Sequence, residues 1–456
     1  MLEEVNKSIS RSTSILVWFT LFIIFFGLIP TTKYLSYFLL ACYALIGKKQ
    51  AIQSLALCWL FNILNPAISP TLETSGILRY VVVISAFVSV FFRTNYFKFD
   101  KIFFNTFLLI TFLLFHSIFF SKMLDVSILK VINWSLVIFT LILAFSKLNY
   151  FELNIIKNWL FSFFLLIFLT SLPLIFIPEI GYSHTRASGF QGVLNHPQAF
   201  GPTMSIFAII ILTKLTESQS NTLILIILFF LSVYLIIISE SRTAGFALFL
   251  SMTIYYLIYF FKKKKFFFIS KIKRKKFIIL LFSLLVIIAF FFTNLKYVIE
   301  DFKVKGTDAE TVLSAYQKSR SILYDPMISN IIEKPLVGIG FGIASNIDSM
   351  QIKRDPIFNL PYAAATEKGI LPIMVLEEIG LLGFIIFMIW IIYLIFKTAL
   401  NNFNDLMLLL NLLLLNMGEA IFFSPGGFGL IVNIMFVSCL YNNKLKKKYY
   451  PKNINQ

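Results

Sequence analysis

Residues 371–396 read LPIMVLEEIGLLGFIIFMIWIIYLIF. The run exceeds the roughly 20 apolar residues that a helix needs to cross a hydrocarbon core, yet its first half carries Glu377-Glu378-Ile379-Gly380-Leu381-Leu382-Gly383. Immediately upstream the sequence changes character. A long polar segment from about Asn294 to Ile370 contains Ser319-Arg320 and then Glu333-Lys334-Pro335-Leu336-Val337-Gly338-Ile339-Gly340. Crossing a bilayer does not require an ordered polar excursion of this size. The segment points to chemistry at a membrane surface.

Composition sets the class in which this run must be read. The chain of 456 residues is 58% hydrophobic and 14% charged, with a mean hydropathy of +0.84. A soluble domain cannot hide that much apolar surface, whereas a polytopic helical protein needs it. The 54 phenylalanines, beside abundant Ile, Lys and Asn, fit a nucleotide bias toward A and T and carry no functional weight. Cys42, Cys58 and Cys439 all fall inside apolar runs, which argues against a disulfide framework. The first apolar run, Ile15 to Ile29, lacks a cleavage signature and reads as a retained span.

Outward from residue 371 the hydropathy predicts spans at 15–29, 34–46, 51–64, 76–92, 102–120, 127–145, 158–178, 199–213, 222–238, 243–261, 277–293, 371–396, 405–424 and 426–440. The expected fold is therefore all-α, a polytopic bundle of about 12–14 spans with one large, mostly helical extracytoplasmic loop. Basic residues in short loops set the orientation. Lys262 to Lys265 with Lys271, Lys273, Arg274, Lys275 and Lys276 give the strongest cytoplasmic signal, and the tail with Lys444, Lys446, Lys447 and Lys448 gives another. Counting back, Lys214, Lys147 and Lys157, Arg93 and Lys98, Lys48 and Lys49, and Lys7 and Arg11 fall on the same side. Both termini are expected in the cytoplasm, and the protein in a bacterial inner membrane. The net charge of +18 follows from this topology, so no nucleic-acid partner is implied. Residues 294–370 hold nine basic and nine acidic side chains and balance to zero, as befits the far side. Three regions result: an N-terminal bundle at 1–293, the extracytoplasmic loop at 294–370, and C-terminal helices with a basic tail at 371–456. Spacing within Asp308–Asn330 predicts an amphipathic helix over the membrane face.

Three arginines are expected on the outer face. Arg186 lies in Gly181-Tyr182-Ser183-His184-Thr185-Arg186, followed by Asn195-His196-Pro197-Gln198; Arg242 lies in the turn Ser239-Glu240-Ser241-Arg242-Thr243-Ala244; Arg320 lies in the large loop. Lys334 and Arg354 stand nearby in sequence as helpers. An arginine at the hydrocarbon edge costs a few kcal/mol unless it snorkels or pairs, and guanidinium groups bind phosphate bidentately. A phosphate or diphosphate is the ligand such a set would hold. Helix anchoring is the plainer alternative for any single one. Gly338-Ile339-Gly340-Phe341-Gly342 lacks the Gly-Lys-Ser/Thr of a nucleotide loop, and no Asp-x-Asp, Cys cluster or His-x-x-x-His points to a metal. Neither metal nor cofactor is expected.

In this order and placement, Arg186 and Gly189, Asn195 to Gly201, Ser241-Arg242-Thr243-Ala244, Arg320, Pro335 to Gly340 and Glu378 to Gly383 resemble the O-antigen ligase and polymerase superfamily. The resemblance covers about residues 180–440. Its ligases carry a His-Asn pair just before the exit helix. Here that region reads Ala365-Thr366-Glu367-Lys368-Gly369-Ile370 without histidine, which shifts the reading toward the polymerase type.

The resemblance implies glycosyl transfer from a polyprenyl-diphosphate-linked oligosaccharide. Arg242 and Arg320 would stabilise the leaving diphosphate, and Glu367 would take the proton of the attacking hydroxyl, with an ion pair to Lys368 or to a basic residue of the loop as its alternative role. Arg186, His184, Asn195, His196, Lys334 and Arg354 are the expected substrate-binding residues. Glu378 is expected to fix helix packing, because a buried carboxylate must find a partner. The lipid bilayer and a chain-length regulator are the other partners implied. A ligase acting on lipid A core, and a lipid-linked oligosaccharide flippase, are the alternatives. Flippases usually show two similar halves, which this chain lacks.

Overall fold

The computed structural model describes residues 2–69, 75–93, 100–183, 189–217, 222–262, 312–355, 359–364, 366 and 368–441. The expected span 277–293, most of the basic run after Lys262, the first part of the large loop and the basic tail lie outside these residues.

Apolar runs become helices because a chain in hydrocarbon must satisfy its own backbone groups. The helices are α1 (Leu2–Leu28), α2 (Pro30–Ile46), α3 (Lys48–Ile63), α4 (Ser75–Phe92), α5 (Lys101–Phe120), α6 (Leu124–Ser146), α7 (Tyr150–Ser171), the single turn α8 (Pro178–Gly181), α9 (Pro197–Glu217), α10 (Thr222–Ile238), α11 (Arg242–Lys262), α12 (Val312–Glu333), α13 (Leu371–Asn401), α14 (Phe403–Leu415) and α15 (Gly429–Leu440). Among the described residues five stretches, Lys101–Phe120, Leu124–Ser146, Tyr150–Phe176, Pro197–Thr216 and Leu371–Asn401, are long and apolar enough to cross a membrane. Shorter apolar helices accompany them. Trp18, Phe119, Ile389 and Phe396 stand exposed on the outside of the bundle. So many bare apolar side chains suit an acyl-chain environment and not water.

The strands of sequence expected to share a side do meet. On one face, Lys49 lies 3.9 Å from Glu152, Arg93 donates to Leu45 O at 2.9 Å, and Lys214 donates to Asn158 Oδ1 at 3.3 Å. On the face of the large loop, Asn65 donates to Ile180 O at 2.7 Å, Phe190 N donates to Ile238 O at 2.9 Å, and Arg354 pairs with Asp125 at 2.6 Å. These contacts tie loops far apart in sequence and fix the alternation of the helices. The core is rich in aromatics: Trp134 meets Phe423 at 4.9 Å and Phe422 meets Phe436 at 5.0 Å, both edge-on.

Two local features differ from the sequence expectation. The span expected at 405–424 ends as a helix at Leu415. Asn416 folds back there: its Oδ1 accepts from Ile421 N at 3.1 Å and Phe422 N at 2.8 Å, which turns the chain into a loop reaching to α15. The large loop, expected to be mostly helical, also carries a strand pair that was not expected. After α12 comes an irregular glycine-rich stretch and then an antiparallel ribbon of β1 (Ile352–Arg354) and β2 (Pro361–Ala364).

Candidate active site

The centre of the loop face is a break in α13. Gly380 has φ 64° and ψ −174°, so the helix stops at Ile379 and restarts at Leu381. An unbroken helix would bond Leu381 N–H to Glu377 C=O and Leu382 N–H to Glu378 C=O. Both bonds are lost, leaving four polar groups that hydrocarbon cannot satisfy.

The Pro335–Gly340 segment replaces them. Ile339 N donates to Glu377 O at 3.0 Å and Gly340 N to Glu378 O at 2.9 Å, while Leu381 N donates to Pro335 O at 2.8 Å and Leu382 N to Leu336 O at 3.4 Å. Glycine is needed on both sides of this seam. Gly338 (φ 69°) lies against the backbone of Glu377 and Glu378, and Gly380 lies against Leu336, so a Cβ at either would strike main chain. The two glycine-bearing motifs singled out in the sequence are therefore the two halves of one backbone seam.

The α5–α6 turn grips the other edge of the same segment. His116 Nε2 donates to Val337 O at 2.5 Å, Lys122 N donates to Ile339 O at 3.0 Å, and Ser127 Oγ donates to Phe341 O at 2.7 Å. Side chains then lock the seam. Lys368 Nζ lies 2.7 Å from Glu377 Oε2 and 3.1 Å from Glu378 Oε1, with all three side chains buried. Asn330 of α12 donates to Glu377 Oε1 at 2.8 Å, and Gly342 N donates to Glu378 Oε2 at 2.7 Å. Both carboxylates thus have partners on each oxygen, and Glu378 ties α13 to the glycine-rich stretch. Lys130 of α6 donates to Thr366 Oγ1 at 2.7 Å, which anchors the chain beside Lys368.

The loop between α14 and α15 joins this centre to the Arg242 turn. Ala420 N donates to Lys368 O at 3.3 Å and Leu371 N to Asn416 O at 2.9 Å, while Gly418 packs directly on Thr243. Arg242 is exposed and follows Glu240, which takes the left-handed region at φ 54°. Gly189 and Gly201 press against Ser239 and Ser241, so the turn is seated on the loop before α9 and on the first turns of α9 itself.

The sequence-derived site residues divide as follows. Arg242 is placed at that turn. Asn195 is exposed, and its N–H donates to Ile63 O at 2.8 Å. His196 Nδ1 accepts from Gln198 N at 3.1 Å and so caps α9. Arg320 stands within α12. Lys334 is half-buried at the end of α12, where its carbonyl accepts from Gly338 N at 2.9 Å. Arg354 is paired with Asp125. His184, Arg186 and Glu367 lie outside the described residues. Among the described residues no three His, Cys, Asp or Glu side chains gather as a metal site. Burial holds the Tyr182 phenol above its usual range beside this loop.

Sequence reading missed the pairing of Lys368 with Glu377 and Glu378 and the two cations Arg79 and Lys130. The signal for the latter was present, since both lie inside runs read as spans, where an ionisable residue is a functional hypothesis by default. Glu377 and Glu378 gave the same signal, and Glu378 was expected to find a partner that fixes helix packing, but their joint pairing with Lys368 had none of its own.

No curated protein matches the chain. Residues 227–388, which include α11, α12, the Pro335–Gly342 segment and the break in α13, match the family described as O-antigen ligase, and this match supports the O-antigen ligase/polymerase superfamily for the chain.

Proposed function

We propose that the protein is a membrane glycosyltransferase that polymerises polyprenyl-diphosphate-linked oligosaccharide units into O-antigen or another surface polysaccharide, working at the outer face of a bacterial inner membrane without a metal. The observation that carries this reading is the seam between Pro335–Gly340 and the broken α13. It makes a rigid floor from the two motifs that resemble the family, and Lys368 and the Asn416–Ser424 loop connect that floor to the Arg242 turn.

In the proposed step a hydroxyl oxygen of one lipid-linked unit attacks the anomeric carbon of another. The carbon–oxygen bond to diphosphate breaks, and the diphosphate leaves with the electron pair. Arg242 and Arg320 stabilise the charge that grows on it. Glu367 accepts the hydroxyl proton. Its neighbour Lys368 is already committed to Glu377 and Glu378, which argues against Lys368 as an ion-pair partner of Glu367. The missing histidine before the exit helix favours polymerase over ligase. Direct displacement inverts the anomeric centre. The reading implies no cofactor and leaves room for a chain-length regulator as partner.

The test is polymerisation of a purified lipid-linked repeat unit by the reconstituted protein. Arg242→Lys should impair it strongly although charge is kept, since an ammonium cannot reproduce the guanidinium fork. Full activity of Arg242→Lys would remove Arg242 from the diphosphate site.

A further inference from the structure

Where α6 begins on the loop face, its first two turns and the ribbon stand apart around an open cavity of about 660 Å³. Leu124, Ile128 and Leu129 of α6 line one side, and Leu360 and Pro361, where β2 begins, line the other. Pockets of roughly 300–1,000 Å³ suit a small-molecule ligand. The charged residues in the lining are Lys122 and Asp125. Asp125 is already neutralised, because it pairs with Arg354 at 2.6 Å and so clips the ribbon to α6. Arg354 Nη1 also donates to Asn359 O at 3.0 Å, which ties the hairpin loop to the same clip. Lys122 is exposed, and among the described residues it makes no ion pair. One positive charge is left beside an apolar slot.

The slot lies at the hydrocarbon edge. Helix α6 is long and apolar enough to span, and at 1.5 Å per residue Leu129 sits about 7 Å further in than Leu124. Phe119 and Phe120, which end α5 just before this turn, are exposed, as are Leu124 and Leu360 in the slot itself. Such a surface suits a hydrocarbon chain and not water. Both walls also continue into the candidate site. Lys122 N donates to Ile339 O of the seam at 3.0 Å. The chain beyond Pro361 runs past Tyr362, whose carbonyl accepts from Tyr80 OH at 3.2 Å, to Thr366 and Lys368.

We propose that this slot holds the isoprenoid chain of a lipid-linked substrate, with the diphosphate head meeting Lys122. This rests on the transferase reading, in which the substrates carry a polyprenyl diphosphate. The walls supply apolar contact for the chain, and the ammonium, a point charge that meets phosphate oxygens, selects an anionic head. A phospholipid of the surrounding bilayer would also wet these walls. The continuity of both walls with the site favours the substrate's own lipid, because a lipid seated there has its head at the turn that grips the seam.

The test uses the full chain in phosphatidylcholine nanodiscs with a diazirine-bearing geranylgeranyl diphosphate as photoprobe. In wild type the label should fall on residues 122–129 or 360–361, read by peptide mass. Unlabelled geranylgeranyl diphosphate should suppress it and excess phosphatidylglycerol should not. Label confined to other segments overturns the slot, and so does equal suppression by phosphatidylglycerol, which would make it a general phospholipid groove. Ile128→Trp fills the slot and should weaken binding of geranylgeranyl diphosphate about tenfold; wild-type affinity in that variant overturns the proposal. Labelling of wild type needs no substitution, so it decides even where Ile128→Trp fails to fold. Lys122→Gln should weaken the diphosphate on the order of fivefold and leave the uncharged geranylgeraniol unchanged. Equal losses for both would remove Lys122 from the head. Polymerisation by a wild type that takes no label in the slot removes the slot and leaves the transferase reading intact. Label in the slot of a protein that joins no units removes the transferase reading alone.

Discussion

Lys368 carries the buried charge balance of the loop face. It faces two carboxylates at 2.7 and 3.1 Å, and all three groups are out of solvent. Removing one partner of a buried ion pair leaves an uncompensated charge and typically costs about 3–5 kcal/mol. Lys368→Met should therefore lower the unfolding midpoint of the purified protein sharply, and Glu377→Gln in the same chain should recover part of the loss by deleting one stranded charge. An unfolding midpoint equal to wild type for Lys368→Met would show that Glu377 and Glu378 are balanced by other groups. Gly380 is the other residue on which the site depends. Its left-handed φ and its contact with the Leu336 backbone leave no room for a Cβ. Strain of that kind costs on the order of 1–3 kcal/mol before the steric clash is counted. Gly380→Ala should destabilise the protein measurably in the same assay and disrupt activity with it. Wild-type stability and activity would mean that α13 can close into a continuous helix.

At the scale of elements, the sequence made some things legible and hid others for a physical reason. Helices such as α5, α6 and α9 could be read because a continuous apolar run in a bilayer has one economical conformation. The order of the Pro335–Gly340 and Glu378–Gly383 motifs was also legible. Their mutual pairing was not. The apolar run 371–396 is unbroken in hydropathy, so the kink at Gly380 leaves no trace in that signal, and the partner that fills it lies some forty residues upstream. The β1–β2 ribbon escaped notice because strands this short have too little periodicity to register. Arg79 and Lys130 were visible in their runs, but the groups they bond to, Gly426 O and Thr366 Oγ1, come from distant segments that hydropathy does not connect to them.

At the scale of the whole molecule, the contacts sort the loops into two faces. Asp348 is exposed in the large loop. With Cys42, the exposed native cysteine, replaced by serine, a cysteine at Asp348 should react with a membrane-impermeant maleimide in intact cells, whereas one at Lys49 should react only after permeabilisation. The reverse pattern would invert the topology and put the site on the wrong side for lipid-linked donors. The account as a whole stands on glycosyl transfer at this face with Glu367 as the base. The most direct measurement is polymer length made from a purified lipid-linked repeat unit by proteoliposomes holding wild type or Glu367→Gln. Wild type should make long polymer, and Glu367→Gln should turn over about 10²–10⁴-fold more slowly with substrate binding retained. Full-length polymer from Glu367→Gln at the wild-type rate would contradict the account of the proton transfer, and a wild-type protein that joins no units would contradict its central claim.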